Sequence, residues 1–220
     1  MVKLLFLCRR RADLTHAQYA ERLLVGHVPI ALRHHPTLRK YVVNIVDNAG
    51  AGLPPLDSIG ELSFDTLADF HERLYDSAAG ERIVAQDVGG FMAEAQAYVT
   101  TEHVQKTTDR TGAKLIGPVR RRPDMSHAAF VAHWLDTHVP LALAHHPGLV
   151  KYVTNVVDQT LSPGAEPWDG FAELHFASDE DRRTKMFAAP ESEAIIRADM
   201  ARFIGVTGGY LVVEHVQKQP

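Results

Sequence analysis

The 220-residue sequence contains a single cysteine, Cys8, and no Cys-x-x-Cys pair. An internal disulfide is therefore impossible, and thiol-based zinc or redox motifs are excluded. Positive charge is also scarce: 23 lysines and arginines stand against 27 aspartates and glutamates, which argues against a nucleic acid partner. No apolar run approaches the roughly 18 residues that span a bilayer, and the run over residues 1–7 is too short for a signal peptide. We expect a soluble, cytoplasmic protein without a membrane partner.

The spacing typical of a metal site is missing as well, although the chain has 13 histidines. No His-x-x-x-His motif occurs, and the adjacent pairs beginning at His34 and His145 diverge by about 100° on a helix. The sequence therefore predicts no metal and no cofactor. Ligands that converge from distant strands are the remaining route to a metal.

What the sequence does contain is a repeat. Residues 3–44 reappear as residues 114–155, and the segment Glu-His-Val-Gln-Lys at residues 102–106 reappears at 214–218. A period of roughly 110 residues is the size of one compact domain. We therefore expect two copies of one domain, residues 1–106 and 112–220, with the polar segment 105–113 as the linker.

Each copy predicts the element order βαββαβ. Thr15 with Gln18 forms a capping-box pattern, Ser126 is the equivalent N-cap, and prolines 36 and 147 end the helix. The predicted elements of the first copy are strands at 4–8, 38–46, 59–64 and 98–104, and a second helix at 66–86. Strands one and three should lie side by side with both helices on one face. The fold class is α+β, with the bare faces of the two sheets packed against each other.

The first candidate site residues are His27 and its counterpart His138. Each lies on the apolar stripe of its helix and is followed by Val-Pro, so that Pro29 or Pro140 cannot donate the helical hydrogen bond and the helix must bend or restart. An imidazole facing the core there has an adjustable pKa and can act as an acid or a base. The alternative is a buried histidine that only satisfies a backbone carbonyl.

The second strand of each copy supplies candidates for holding a substrate oxygen. They are Tyr41 with Asn44, and Tyr152 with Asn155. Strand alternation places a tyrosine and an asparagine three residues apart on opposite faces, so both line one pocket only if a bulge intervenes. The alternative for each tyrosine is a strand residue with its hydroxyl at the surface.

Carboxylates on the third strand are the remaining candidates. Glu61 and Glu173 lie within the strand, and Asp57 and Asp169 precede it. A carboxylate in a central strand is costly unless it is paired, so the glutamates are candidates for a general base or for orienting a histidine. The alternative is an ion pair with a lysine or arginine of the neighbouring strand.

Three of these patterns occur in fixed order in the second copy: Trp134-x-x-x-His138-x-Pro140, then Tyr152-x-x-Asn155, then Asp169-Gly170-x-x-Glu173. Together with the preceding strand, Arg-Arg and Ser-His they resemble the EthD family. That resemblance implies dimeric α+β barrels of ferredoxin-like domains, here closed within one chain as a pseudo-dimer, with a homodimer also open. Relatives include cofactor-free cyclases, isomerases, small monooxygenases and haem-binding enzymes.

The first copy departs from this pattern, because Leu23 stands in place of the tryptophan and Ser58 in place of the glycine. If only one pocket works, we expect it to be the second, which contains Trp134.

The leading hypothesis is a cofactor-independent enzyme for cyclisation, isomerisation, dehydration or decarboxylation of a hydrophobic, aromatic or polyketide-like substrate. His138 or His27 would be the general acid/base, and Glu173, Glu61 or Asp169 its partner. Tyr152 and Asn155, or Tyr41 and Asn44, would hold the substrate oxygen. The alternatives are a non-catalytic small-molecule-binding or accessory protein, and a haem- or metal-dependent oxidative enzyme.

Overall fold

The computed structural model describes residues 1–108 and 112–220, here called the first and the second half. Part of the expected linker, residues 109–111, lies outside the described residues. The strands are β1 Val2–Arg10, β2 Lys40–Ala49, β3 Ser58–Phe64, β4 Met92–Lys106, β5 Lys114–Arg121, β6 Leu149–Thr160, β7 Gly170–Phe176, β8 Ile204–Thr207 and β9 Tyr210–Lys218. The α-helices are α1 His16–Glu21, α2 Val28–His34, α3 Leu67–Arg73, α4 Ala78–Gly89, α5 His127–His133, α6 Val139–His145, α7 Asp179–Thr184 and α8 Pro190–Phe203. Two π-helical segments, π1 Arg22–His27 and π2 Trp134–His138, join α1 to α2 and α5 to α6.

Eight of the described strands close into an antiparallel barrel. Their order around it is β1, β3, β2, β9, β5, β7, β6 and β4, and β4 returns to β1. The expected neighbours, strands one and three of each half, are paired, as β1 with β3 and β5 with β7. The sheets of the two halves are also joined edge to edge, through β2 with β9 and β4 with β6. Face-to-face packing alone would have left these four edges open.

The helix after the first strand begins as the sequence predicts. The Thr15 hydroxyl accepts from the Gln18 backbone N–H, and the Gln18 side chain accepts from the Thr15 N–H, so the capping box is formed. Ser126 caps the equivalent helix of the second half. The predicted helix at 66–86 is instead two helices, because the Ser77 side chain accepts from the Gly80 N–H and starts a new one, α4.

The structure accommodates the two Val-Pro steps with a π turn rather than with the predicted bend or restart of the helix. Val28 donates its N–H to the Leu23 carbonyl five residues earlier, and Val139 donates to the Trp134 carbonyl in the same way. The wider π turn accommodates prolines that have no N–H of their own, and such turns frequently occur at functional sites. Each helix therefore carries a π turn that ends at the candidate histidine.

Three apolar cores result from this arrangement. One fills the barrel interior, and the others lie between each half's helices and the outer face of its strands. Two spaces under helices and one barrel interior are thus the places where inward-facing polar side chains collect. No helix in the described ranges is long and apolar enough to cross a membrane.

Candidate functional site

A cavity of about 260 Å³ lies between the helices and the strands of the first half. Most of its wall is apolar, with Phe6, Leu62 and Val84 among the lining residues. The polar groups that line it are Cys8, His27, His35, Tyr41, Ser58 and Tyr75. Ligand sites have this character, a largely apolar surface with a few convergent polar groups.

His27 is held by a carboxylate that the sequence analysis did not nominate. Its Nδ1 lies 3.0 Å from Oδ2 of Asp87 on α4. Burial lowers the pKa of His27 below its ordinary value, while the hydrogen bond to Asp87 and its charge partly oppose that effect. Neutral His27 donates its Nδ1–H to Asp87, which leaves Nε2 as the nitrogen able to take a proton. The arrangement is that of a general base oriented by a carboxylate.

The partner could have been found from the repeat. Asp87 precedes Phe91 by four residues, and Asp199 precedes Phe203 by the same spacing. The two aspartates therefore have the same spacing to a phenylalanine in both halves, within helices of otherwise different sequence. From the sequence, we expected the histidine's partner to be a carboxylate in or before the third strand.

Tyr41 lines the same cavity from β2. No described residue forms a hydrogen bond with its hydroxyl, and burial followed by the nearby Cys8 thiol raises its pKa. It is thus a neutral phenol that can donate to a ligand oxygen. Cys8 is unsuited to nucleophilic chemistry, because burial raises the pKa of its thiol to about 12.

In the second half the equivalent space is taken up by Trp134, which is 1% exposed. Its indole Nε1–H donates to the Tyr152 hydroxyl at 3.2 Å. A Cβ added at Gly170 would lie 2.9 Å from the Cη2 atom of the indole and 2.9 Å from the Asn155 carbonyl oxygen, so the glycine leaves room for both. The cavity thus lies in the half that contains Leu23, whereas from the sequence we favoured the half that contains Trp134.

The second histidine keeps the same kind of partner. His138 Nδ1 lies 2.9 Å from Oδ2 of Asp199, and His133 Nε2 lies 3.0 Å from the other carboxylate oxygen. Burial lowers the pKa of His138, with Asp199 acting in the opposite direction. Both candidate histidines are therefore paired with an aspartate.

The candidate glutamates lie elsewhere, inside the barrel. Lys3 Nζ is 2.8 Å from Glu61 and 2.6 Å from Glu173, while Lys114 Nζ is 2.6 Å from Glu61 and 3.1 Å from Glu173. Burial and the charge of Glu173 would raise the pKa of Glu61, but the two ammonium groups lower it to about 2. The pKa of Glu173 is likewise held well below its ordinary value. This is the ion-pair alternative of the sequence analysis, and neither glutamate reaches a candidate histidine.

Asn44 and Asn155 belong to this interior group rather than to the cavity. Asn44 donates to Glu61 and Asn155 donates to Glu173, each at 2.8 Å. The register of β2 against β3 is continuous from Tyr41 to Asn44, so alternation sends the tyrosine towards the helices and the asparagine into the barrel. No tyrosine and asparagine therefore share a pocket.

Asp57 and Asp169 bind Arg10 and Arg121, the last residues of β1 and β5. Asp57 accepts from the Arg10 backbone N–H at 2.7 Å and from the Arg10 guanidinium. Asp169 accepts in the same way from Arg121, at 2.8 Å from its backbone N–H. These aspartates tie the end of one strand to its neighbour, and their histidine contacts are with His16 at 2.9 Å and His127 at 3.2 Å rather than with His27 or His138.

Part of the second half is similar to a known protein domain. Residues 122–207 match the EthD domain. The matched region contains Trp134, His138, Tyr152 and Asp199 of the second half. No curated protein sequence matches the chain.

Solved structures of low sequence identity share the whole fold. An anthrone oxidase-like protein aligns with a TM-score of 0.66 at 10% identity, over 98% of this chain and 93% of that one. Chlorite dismutase from Candidatus Nitrospira defluvii in complex with imidazole aligns at 0.55 and 12%, over 98% and 92%. A candidate monooxygenase from Lactobacillus acidophilus NCFM aligns at 0.54 and 13%, over 99% and 96%. These likenesses show the ferredoxin-like α+β barrel fold.

The cavity does not suit a haem group. Its volume is below the roughly 300 Å³ at which pockets for drug-sized ligands begin. No lysine or arginine is among the described residues that line it, so buried propionates would have no cationic partner. Within residues 1–108 and 112–220, no group of three or more His, Cys, Asp or Glu side chains is placed to hold a metal ion.

Proposed function

We propose that the chain is a cofactor-independent enzyme that binds a small aromatic or polyketide-like molecule in the first-half cavity and moves a proton there with His27. One observation carries the proposal: an apolar cavity of about 260 Å³ is lined both by His27, which Asp87 orients, and by Tyr41, whose hydroxyl has no described hydrogen-bond partner. The lining favours an apolar ligand with a single oxygen to be recognised.

Each polar group has a distinct role in the proposed reaction. His27 Nε2 takes a proton from a carbon next to the substrate carbonyl, and Asp87 stabilises the imidazolium that forms. The Tyr41 hydroxyl donates to the substrate oxygen, where negative charge develops. Return of the proton to another atom gives isomerisation, loss of water gives dehydration, and attack of the carbanion on a second carbonyl gives cyclisation. Loss of carbon dioxide before protonation would give decarboxylation.

The proposed site residues therefore differ in part from those nominated by sequence. His27, Tyr41 and Asp87 act in the first half, while Glu61, Glu173 and Asp169 have structural roles. The histidine of the second half, His138, is spared from chemistry because Trp134 occupies the ligand position.

We also infer that residues 1–106 and 112–220 are two copies of one EthD-like domain that form a pseudo-dimer. The argument rests on equivalent residues with equivalent contacts, such as Lys3 with Lys114 and Asp87 with Asp199. A cytoplasmic location is part of the same proposal, since the single thiol is buried and unpaired.

An oxidative reaction is the second candidate, favoured by the names of fold neighbours that include an anthrone oxidase-like protein and a candidate monooxygenase. In that case the substrate deprotonated by His27 would pass electrons to dioxygen.

A non-catalytic ligand-binding protein is the third candidate, since the same cavity would serve it. Oxygen consumption distinguishes the second candidate, and saturable binding without any turnover distinguishes the third.

The test is proton exchange on an enolisable aromatic ketone. With 2-tetralone in D₂O, NMR should show that the wild-type protein accelerates exchange of the protons next to the carbonyl. His27→Gln should lose roughly 100-fold or more of the acceleration, which is the usual contribution of a positioned base. His138→Gln is the matched control and should keep it. Equal losses in both variants, or none in His27→Gln, would exclude His27 as the base.

A further inference from the structure

Three equivalent positions of the two halves can be compared, and the side chains differ at two of them. Leu23, Tyr41 and Ser58 line the first-half cavity, and the repeat puts Trp134, Tyr152 and Gly170 at the same positions. The tyrosine is common to both. The other two positions differ together, since the half with the large tryptophan has the small glycine.

The indole of Trp134 makes the contacts expected of a bound aromatic ligand. Its N–H donates to Tyr152 Oη, whereas the hydroxyl of Tyr41 has no described partner. Its ring packs on Phe130 at 5.4 Å between centroids, and its Cη2 would lie 2.9 Å from a Cβ at residue 170. Hence a side chain at residue 170 and an indole at this place exclude each other.

The second half also contains the histidine and the aspartate that correspond to His27 and Asp87. His138 has a 2.9 Å contact with Asp199, and it is the last residue of π2 as His27 is the last residue of π1. A buried imidazole–carboxylate pair is therefore present in a half where the apolar space beside it is filled by the protein's own aromatic ring.

We propose that the second half carries a plugged copy of the first-half site, in which the Trp134 indole occupies the ligand position. The chain then binds one ligand per molecule, in the first half. Removing the plug creates a second site for a planar aromatic molecule with a hydrogen-bond donor, held by Tyr152. This inference uses the cavity of the proposed function but not its chemistry.

The test counts binding sites with indole as the probe, by isothermal titration calorimetry on the full chain. The wild type should bind no more than one indole. Trp134→Gly should bind one more, and 1-methylindole, which lacks the N–H donor, should bind at least tenfold more weakly at the new site. Adding Tyr152→Phe to Trp134→Gly should remove that preference for indole.

Two further variants keep the test decisive if Trp134→Gly fails to fold. Trp134→Leu with Gly170→Ser gives the second half the residues of the first and should add one site. Leu23→Trp with Ser58→Gly should plug the first half and abolish wild-type binding. Two indoles bound to the wild type, no added site in folded opened variants, or full binding after Leu23→Trp with Ser58→Gly would overturn the inference. If a site is added but 2-tetralone is not turned over, the inference about Trp134 stands and only the proposed function is refuted.

Discussion

Lys3 Nζ lies 2.6 Å from Glu173 Oε1 in the interior of the barrel, where it joins β1 of the first half to β7 of the second. Both side chains are at most 5% exposed, so the pair is shielded from water. Attraction between shielded charges is strong, but so is the cost of leaving one of them alone.

Lys3→Met should therefore lower the free energy of unfolding by about 3–5 kcal/mol, because it leaves two buried carboxylates, Glu61 and Glu173, to share the ammonium group of Lys114. Urea denaturation followed by circular dichroism measures the change. The matched control is Arg9→Ala, which breaks the exposed Arg9–Glu94 pair and should cost about 0–1 kcal/mol. Equal losses in the two variants would show that the interior pair is no stronger than a surface one.

Acid should weaken the barrel in a defined window. The folded-state pKa of Glu61 is about 2, below the ordinary value of 4.5, so its stabilising contribution is complete above pH 4.5 and is lost as the pH falls to 2. Glu173 acts in the same direction. Unfolding free energies measured across pH 2 to 5 should fall with decreasing pH. Glu61→Gln should show a shallower fall, and an unchanged slope would contradict the assignment.

Asp87→Asn should impair proton exchange while its counterpart Asp199→Asn leaves it intact. The amide can present its NH₂ group to His27 Nδ1 and so disfavour the reactive tautomer, for a loss within the roughly 100- to 10,000-fold range of a positioned base. Burial lowers the His27 pKa, so the wild-type rate should fall on the acid side below pH 6.5. Since Asp87 raises that pKa, the acid limb of Asp87→Asn should lie still lower. An acid limb that does not move would disconnect Asp87 from His27.

The pair Leu23 and Ser58 should behave as a coupled unit. Leu23→Trp alone should cost about 1–3 kcal/mol through overpacking, because the repeat places Ser58 at the position where Gly170 leaves room for the Trp134 indole. In a Ser58→Gly background the same change should cost less, and a double-mutant cycle on urea denaturation measures the difference. Additive effects would mean that the two positions do not share one space.

Much of the fold could be predicted from local chemistry. The capping box at Thr15 and the period-two strands need only near neighbours, and the pairing of strands one and three follows from their order. The pairing of β2 with β9 and of β4 with β6 could not be derived from composition and spacing. No pattern within one half specifies which strand of the other half will pair with its edge.

The site was predictable only in part. His27 and Tyr41 stand out by their repeated contexts, and alternation correctly separated Tyr41 from Asn44. The role of Trp134 was not predictable, because a tryptophan can line a pocket or fill it, and only packing against Gly170 decides. Likewise a strand glutamate such as Glu61 gives no sign of whether its cation will be a lysine across the barrel.

The pairing of β2 with β9 affects how the chain folds. Lys218 on β9 donates to the Leu38 carbonyl, 180 residues earlier in the sequence. Contacts over such separations form slowly, and until β9 arrives the edges of β2 and β5 expose unpaired backbone groups that can pair with other chains. During synthesis the protein is thus most prone to aggregate just before β9 completes the barrel, and a chaperone that shields these two edges would raise its yield.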